Sequence, residues 1–187
     1  MKTVLEYSTI ISTAIACTLS ATTYAQAIDP EKSKVIATFT QSGVDVDVAF
    51  KKFAAEVNYD PDAQNNTSAK IAVDVSSFDI GDAEYNKEVQ KPEWFNTGKF
   101  PQATFVTETV RTISPTQLQA NGILTIKGKS HNVVVPISVK PDGKAWSFSG
   151  ELPIKRNDYN VGEGEWTATD MVADEVKIRF TITKAAP

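Results

Sequence analysis

FDIGDAEYNKEVQKPEWFNTGKFPQATF, residues 78–105, is the one long interruption in a chain that otherwise reads as strand after strand. An aromatic leaves a strand at Phe78, and a turn-like Ile80-Gly81-Asp82 follows. A short helical segment is expected over 83–89. The Asp82 carboxylate is placed to accept from a free backbone N–H of its first turn, and Pro92 stops it. Trp94, Phe95 and Phe100 then form a dense aromatic group, and Pro101 fixes the chain before a strand resumes at Ala103. A helix this short has little stability alone in water, so its aromatics must pack on the neighbouring sheet. The stretch is therefore expected to lie as a flap or plug across a β-structure.

Outward from it, apolar and polar residues alternate, the mark of strands with one buried face. Phe53, Ala55, Val57 and Tyr59 share a face, as do Ile71, Val73 and Val75. Leu118, Ala120, Gly122, Leu124 and Ile126 make the next set, then Val133 to Val139, Trp146 to Ile154, and Val176 to Ile182. Earlier strands are expected over 34–41 and 44–50. Breakers fall between them, and hairpins account for most of the intervals. About eight antiparallel strands fit an up-and-down barrel or a sandwich. An eight-stranded barrel is just wide enough to be filled by side chains or to hold one small ligand. Gly122 and Gly150, on apolar faces, fit either an internal cavity or sharp strand bending.

Lys2, the apolar run 10–19 and the small-x-small site Ala25-Gln26-Ala27 read as a secretory signal peptide over residues 1–27. The run is too short for a membrane span. Cys17 follows Ala16 but lacks the leucine three positions earlier that lipoprotein acylation favours. Removal of 1–27 leaves one domain, residues 28–187, of ordinary size and without cysteine. Disulfides, thiol catalysis and cysteine-held metals are excluded with it. The full chain has 19 Lys+Arg and 23 Asp+Glu, a net charge of −4. The signal segment carries one of each sign, so the balance is unchanged. No basic bias suited to nucleic acid is present.

Catalytic chemistry finds little support. His131 is the single histidine, which makes a poor transition-metal site, and it is expected at a turn. Gly128-Lys129-Ser130 resembles the end of a phosphate-binding loop, but Ile123 stands where the first glycine belongs and no helix follows. A hairpin turn at Lys127-Gly128-Lys129 is the better reading. No Gly-x-Ser-x-Gly elbow is present. Asp45 and Asp47 are expected on a solvated outer face. A second unusual stretch, 154–166, carries Lys155, Arg156, Tyr159 and Trp166 between two strands. Its cations are suited to a phosphate or carboxylate, and an ordered Ω-like loop is the competing reading.

The ordered set Phe78-Asp79-Ile80-Gly81, Trp94-Phe95-Asn96, 99–105 (KFPQATF), 122–129 (GILTIKGK) and Val172-Ala173-Asp174-Glu175-Val176 resembles the YceI-like family of bacterial secreted proteins. The resemblance covers nearly all of the chain after its N-terminal segment. It implies an all-β, extended lipocalin-like antiparallel barrel of about eight strands with a short helical flap. It further implies a periplasmic or secreted binding or carrier protein, not an enzyme and without a cofactor or bound metal. The ligand implied is a long-chain amphiphilic lipid, a polyisoprenoid in the first instance, held in the barrel. Candidate chain contacts are Phe53, Trp94, Phe95, Phe100, Phe105, Trp146, Phe148 and Trp166, each also suited to plain core packing. A polar head is expected near Lys127, Lys129, Lys155 and Arg156. Homodimerisation is implied by the family; stable membrane insertion and nucleic-acid binding are not. The histidine that many members carry after the first strand is absent here, where 39–44 read FTQSGV. The competing reading is a non-enzymatic structural or stress-related interaction domain with a filled core.

Overall fold

A computed structural model describes residues 28–184. The signal segment expected over 1–27, with Cys17, lies outside the described residues. Ten strand segments form one curled, wholly antiparallel sheet, a half-barrel: β1 Lys34–Gln41, β2 Val44–Phe50, β3 Phe53–Asn58, β4 Ser68–Asp74, β5 Phe78–Asp79, β6 Gln102–Ser114, β7 Gln117–Ile126, β8 Lys129–Asp142, β9 Ala145–Lys155 and β10 Val172–Lys184. The order across the sheet is β3-β4-β6-β7-β8-β9-β10-β1-β2-β5.

The two ends of that order are joined by the chain itself. β2 runs into β3 across Lys51-Lys52, and β4 runs into β5 across 75–77. Between the halves, Asp74 donates to the Lys52 carbonyl at 3.0 Å and Lys51 donates to the Ser77 carbonyl at 3.2 Å. The ten segments are thus eight strands, two of them bent at one level, and the curl closes through the bends. This explains why alternation suggests about eight strands while ten segments are present.

The β7–β8 hairpin turns on Lys127 (φ 48°) and Gly128 (φ 74°). Two successive positive-φ residues make the two-residue turn whose twist matches the strands it joins. Inside the sheet, Gly122 and Gly150 mark neither simple bends nor empty space. A Cβ at Gly122 would collide with the Val106 carbonyl and lie 2.9 Å from the Phe105 ring. At Gly150 it would lie 2.5 Å from the Pro136 carbonyl oxygen and 2.7 Å from the Phe180 ring. Each glycine makes room for a phenyl ring from the neighbouring strand. The core holds Leu118, Val139 and Ile182 at 2% exposure or less, and Val48 is fully buried beneath β5.

Between β5 and β6, α1 (Ala83–Glu88) is capped as the sequence suggests: the Asp82 carboxylate accepts from the Glu84 and Tyr85 N–H groups at 2.8 and 3.1 Å. None of its residues is buried. The segment is anchored instead by Val89, Trp94, Phe95 and Phe100, which follow it. No helix among the described residues is long and apolar enough to cross a membrane.

Candidate functional site: an apolar cavity inside the barrel

The inward residues of the strands do not fill the interior. They leave a cavity of about 180 Å³ whose exposed lining is apolar. One water needs only about 10–15 Å³ of such space, so this is not a packing defect. Aliphatic residues line it from every strand except β2 and β5, among them Val35, Val57, Ile71, Leu124, Val135, Leu152 and Ile178. Phe105, Phe148, Phe180 and Phe50 add aromatic walls, and Phe95 enters from the flap. An apolar space of this kind accepts hydrocarbon and repels charge.

One end of the cavity is covered by the flap and by the loop between β9 and β10. Phe95 sits against Phe50 and Phe78, with ring centroids 6.3 Å from each. Trp94 stacks on Trp166 at 5.3 Å. Phe100 lies over Gly128, where a Cβ would stand 2.6 Å from its ring. The Glu93 carbonyl accepts from the Gly162 and Glu163 N–H groups at 2.9 and 2.8 Å, tying flap to loop. The Trp94 indole N–H is buried and has no hydrogen-bond partner among the described residues.

Two cations lie under this cover. Arg156 is 3% exposed. Its Nε donates to the Ala173 carbonyl, Nη1 to Asn157 Oδ1 and the carbonyls of Val161 and Gly162, and Nη2 to the carbonyls of Ala168 and Val172, at 2.9 to 3.4 Å. All five guanidinium N–H groups are therefore engaged. Burial lowers the Arg156 pKa from its ordinary value, against the pull of Asp174, but an arginine remains charged. Lys127 is also buried. Its ammonium donates to the Asn160 carbonyl at 2.7 Å, to Glu163 Oε2 at 2.8 Å and to the Glu93 carbonyl at 3.3 Å. That contact holds the Glu163 carboxyl below its usual range.

Of the twelve candidate residues, Phe95, Phe105, Phe148 and Arg156 line the cavity. Phe53 and Trp146 pack around the same core from outside the lining, with Trp146 against Tyr59 at 5.1 Å. Trp94, Trp166 and Phe100 form the cover. Lys127 joins flap, loop and hairpin. Lys129 and Lys155 are exposed and, among the described residues, enter no ion pair. His131 is exposed but is not the turn residue expected: it stands in β8 opposite Leu124, because the hairpin turns earlier, on Lys127-Gly128. Its Nε2 is 3.0 Å from the Asp158 carbonyl and its ring lies on Tyr159. The sequence reading missed Tyr159 and Val161, both buried in the lining. They lie in a loop, where no period marks an inward side; their apolar character beside Arg156 was the available signal.

Comparison with known proteins bears on this geometry. A model of the YceI-like domain matches residues 26–184. A UPF0312 protein of Shewanella baltica is 27% identical over 166 residues, covering 83% of this chain and 86% of that protein. Protein YceI of Salmonella arizonae is 28% identical over 118 residues, 60% of this chain and 61% of that one. Among solved structures, Burkholderia cenocepacia BcnA superposes with a TM-score of 0.82 at 44% identity, over 84% of this chain and 99% of that chain. A polyisoprenoid binding domain from Saccharophagus degradans superposes with a TM-score of 0.70 at 15% identity, over 87% and 99%; that likeness is one of fold. With the match running from the first described strand to the last, this chain belongs to the YceI-like domain family.

Proposed function

We propose that the protein binds a long-chain amphiphile, a polyisoprenoid in the first instance, with its hydrocarbon in the barrel and its polar end outside. The observation that carries this reading is the apolar cavity inside the half-barrel, which its own side chains leave open. The family and the fold shared with a polyisoprenoid binding domain support it. Chain contacts come from Phe95, Phe105 and Phe148 together with Phe50, Phe180 and Tyr159. Each buried CH₂ contributes about 0.8 kcal/mol. Ten such groups give roughly 8 kcal/mol, in the range of micromolar affinity before ordering costs.

The reading is one of binding and carriage, not catalysis, at a periplasmic or secreted address reached by cleavage near Ala27. Assembly as a homodimer belongs to it through the family. The competing reading, an interaction domain with a filled core, is disfavoured by the same cavity. Native mass spectrometry of the protein from its own cells, with solvent extraction and lipid analysis, tests both. A stoichiometric long-chain lipid adduct on a chain beginning near Ile28 is expected. A bare mass that takes up no added polyprenyl lipid would overturn carriage and make the cavity lining a core.

A further inference from the structure

The two ends of the cavity differ in their seams. β3 and β4 stay paired from Phe53↔Val73 to Asn58↔Ser68. β4 and β6 pair only from Asp74↔Gln102 to Lys70↔Val106. Beyond that point the Thr107 hydroxyl bridges the strands, accepting from the Ala69 N–H at 2.9 Å and meeting its carbonyl at 3.3 Å. The β6 register shifts between Thr107 and Thr109, and a bulge of this kind turns a strand away from its neighbour. Thr67, Ala69, Thr107 and Val110 line the cavity on both sides of this seam, so apolar space reaches it.

Above the seam lies the β3–β4 loop, residues 59–67. From Asp60 to Lys70 no side chain is buried. Gln64 Nε2 donates to the Tyr59 hydroxyl at 3.0 Å and to the Pro115 carbonyl at 3.1 Å; Asn65 Oδ1 accepts from the Thr112 N–H at 2.9 Å. A second recess, shallow and open to solvent, is bounded by Gln64, Asn65, Asn66 and Thr112 with Pro61 to Ala63. Asn66 of this recess is the chain neighbour of Thr67, which lines the cavity. Gln64 Oε1, Asn65 Nδ2 and the side-chain amide of Asn66 make no hydrogen bond among the described residues, so they are open to a ligand as well as to water.

We infer that this recess receives the polar end of the ligand, and that the head it accepts is a neutral hydrogen-bonding group: a hydroxyl, carbonyl or amide. The inference rests on the amphiphile reading above. Amides offer both donors and acceptors, which suits such heads. An anion fits poorly. Asp62 bounds the recess and no cation lines it; Arg111 and Lys184 lie outside the lining, where Arg111 donates to Gln119 at 3.2 Å and the Lys184 ammonium to the Tyr59 carbonyl at 3.2 Å. At the opposite end, Arg156 and Lys127 spend their donors on the protein itself. The cations left over at that end, Lys129 and Lys155, are exposed to water, so a phosphate drawn out of water would find no buried cation with donors to spare at either end of the cavity.

The full chain at pH 7 tests this by calorimetric titration with geranylgeraniol and with geranylgeranyl monophosphate, two probes with one hydrocarbon and different heads. The alcohol is expected to bind at least tenfold more tightly. The double variant Asn65→Ala/Asn66→Ala is expected to lose about fivefold in affinity for the alcohol and to release it faster, with its thermal midpoint measured alongside. Tighter binding of the phosphate overturns the head assignment and leaves carriage standing. So does a loss of affinity in Lys129→Ala/Lys155→Ala in place of the amide variant, because it puts the head at the flap. If neither probe binds, the carrier reading fails and the head assignment with it. The comparison of probes on the unsubstituted chain stands whether or not a variant folds.

Discussion

The flap end and the 59–67 end close the same cavity by different means. At the flap end, Arg156 and Lys127 are taken out of water and spread over seven backbone carbonyls, one side-chain amide and one carboxylate. Aromatic rings fill the space between them. At the other end, a loop with no buried side chain past Tyr59 is held by two amide side chains. Hydrogen bonds to a charged donor in a desolvated place are stronger than neutral ones at the surface, so the flap end is built to stay and the loop end to yield. A helical flap invites the thought of a lid. On this bonding the cover expected to yield first is on the other side of the barrel.

The largest expected effect is at Arg156. Arg156→Met keeps apolar bulk but strands buried carbonyls of the β9–β10 loop. A loss of about 3–5 kcal/mol is expected, read by urea unfolding; a loss under 1 kcal/mol would break the contrast between the ends. Gly128→Ala should cost about 1–3 kcal/mol, since the residue has φ 74° and its new methyl meets Phe100. Tight turns elsewhere in the sheet should be unaffected by hydrogen exchange.

Next is Gln64→Ala at the loop end, expected to cost about 1 kcal/mol. It should speed exchange of a bound fluorescent lipid more than Gly128→Ala does, although it destabilises less. The reverse order of exchange rates would place the moving cover at the flap.

Glu163 sharpens the flap end by pH. Its pKa is lowered in the folded state, first by the hydrogen bond from Lys127. A carboxyl lowered on folding contributes stability that is present above its unfolded pKa, about 4.3, and is lost as pH falls through the folded value. Glu163→Gln should therefore be less stable than the natural chain at pH 7, and the gap should narrow as the pH falls below about 4.3. A gap independent of pH would assign the effect to packing. The smallest change is expected for Trp94→Phe. It removes a buried N–H with no partner while keeping a ring on Trp166. A near-zero or slightly favourable shift in unfolding midpoint is expected, because an unsatisfied buried donor is a cost that goes with it.

Much of the architecture was legible in advance. The period of two picked out the inward residues Ile71, Val73, Leu118, Leu124 and Ile182, and all of them line the cavity. The Asp82 cap and the Lys127-Gly128 turn followed from local chemistry. The site was less legible. Trp94, Trp166 and Phe100 have the composition of pocket residues but serve the cover, because aromatic area is useful in either place. Lys127, beside Gly128 in a turn, and Arg156, in an irregular loop, resemble free headgroup clamps in the sequence. Their donors are consumed by carbonyls that lie up to 34 residues away for Lys127 and 17 for Arg156.

What the sequence determined by itself is what rests on near neighbours along the chain: alternation, caps, turns, the absence of cysteine from 28–187, and one interruption long enough to cover a barrel end. Three matters were left to the tertiary structure. Two strands bend so that eight become ten segments. Side chains of the right apolar kind stop short of filling the interior. Two cations turn inward to backbone carbonyls and not outward to a ligand. Each depends on distances between segments far apart in the chain, and the energy of a buried charge or an unfilled space is set by whatever those segments bring to it.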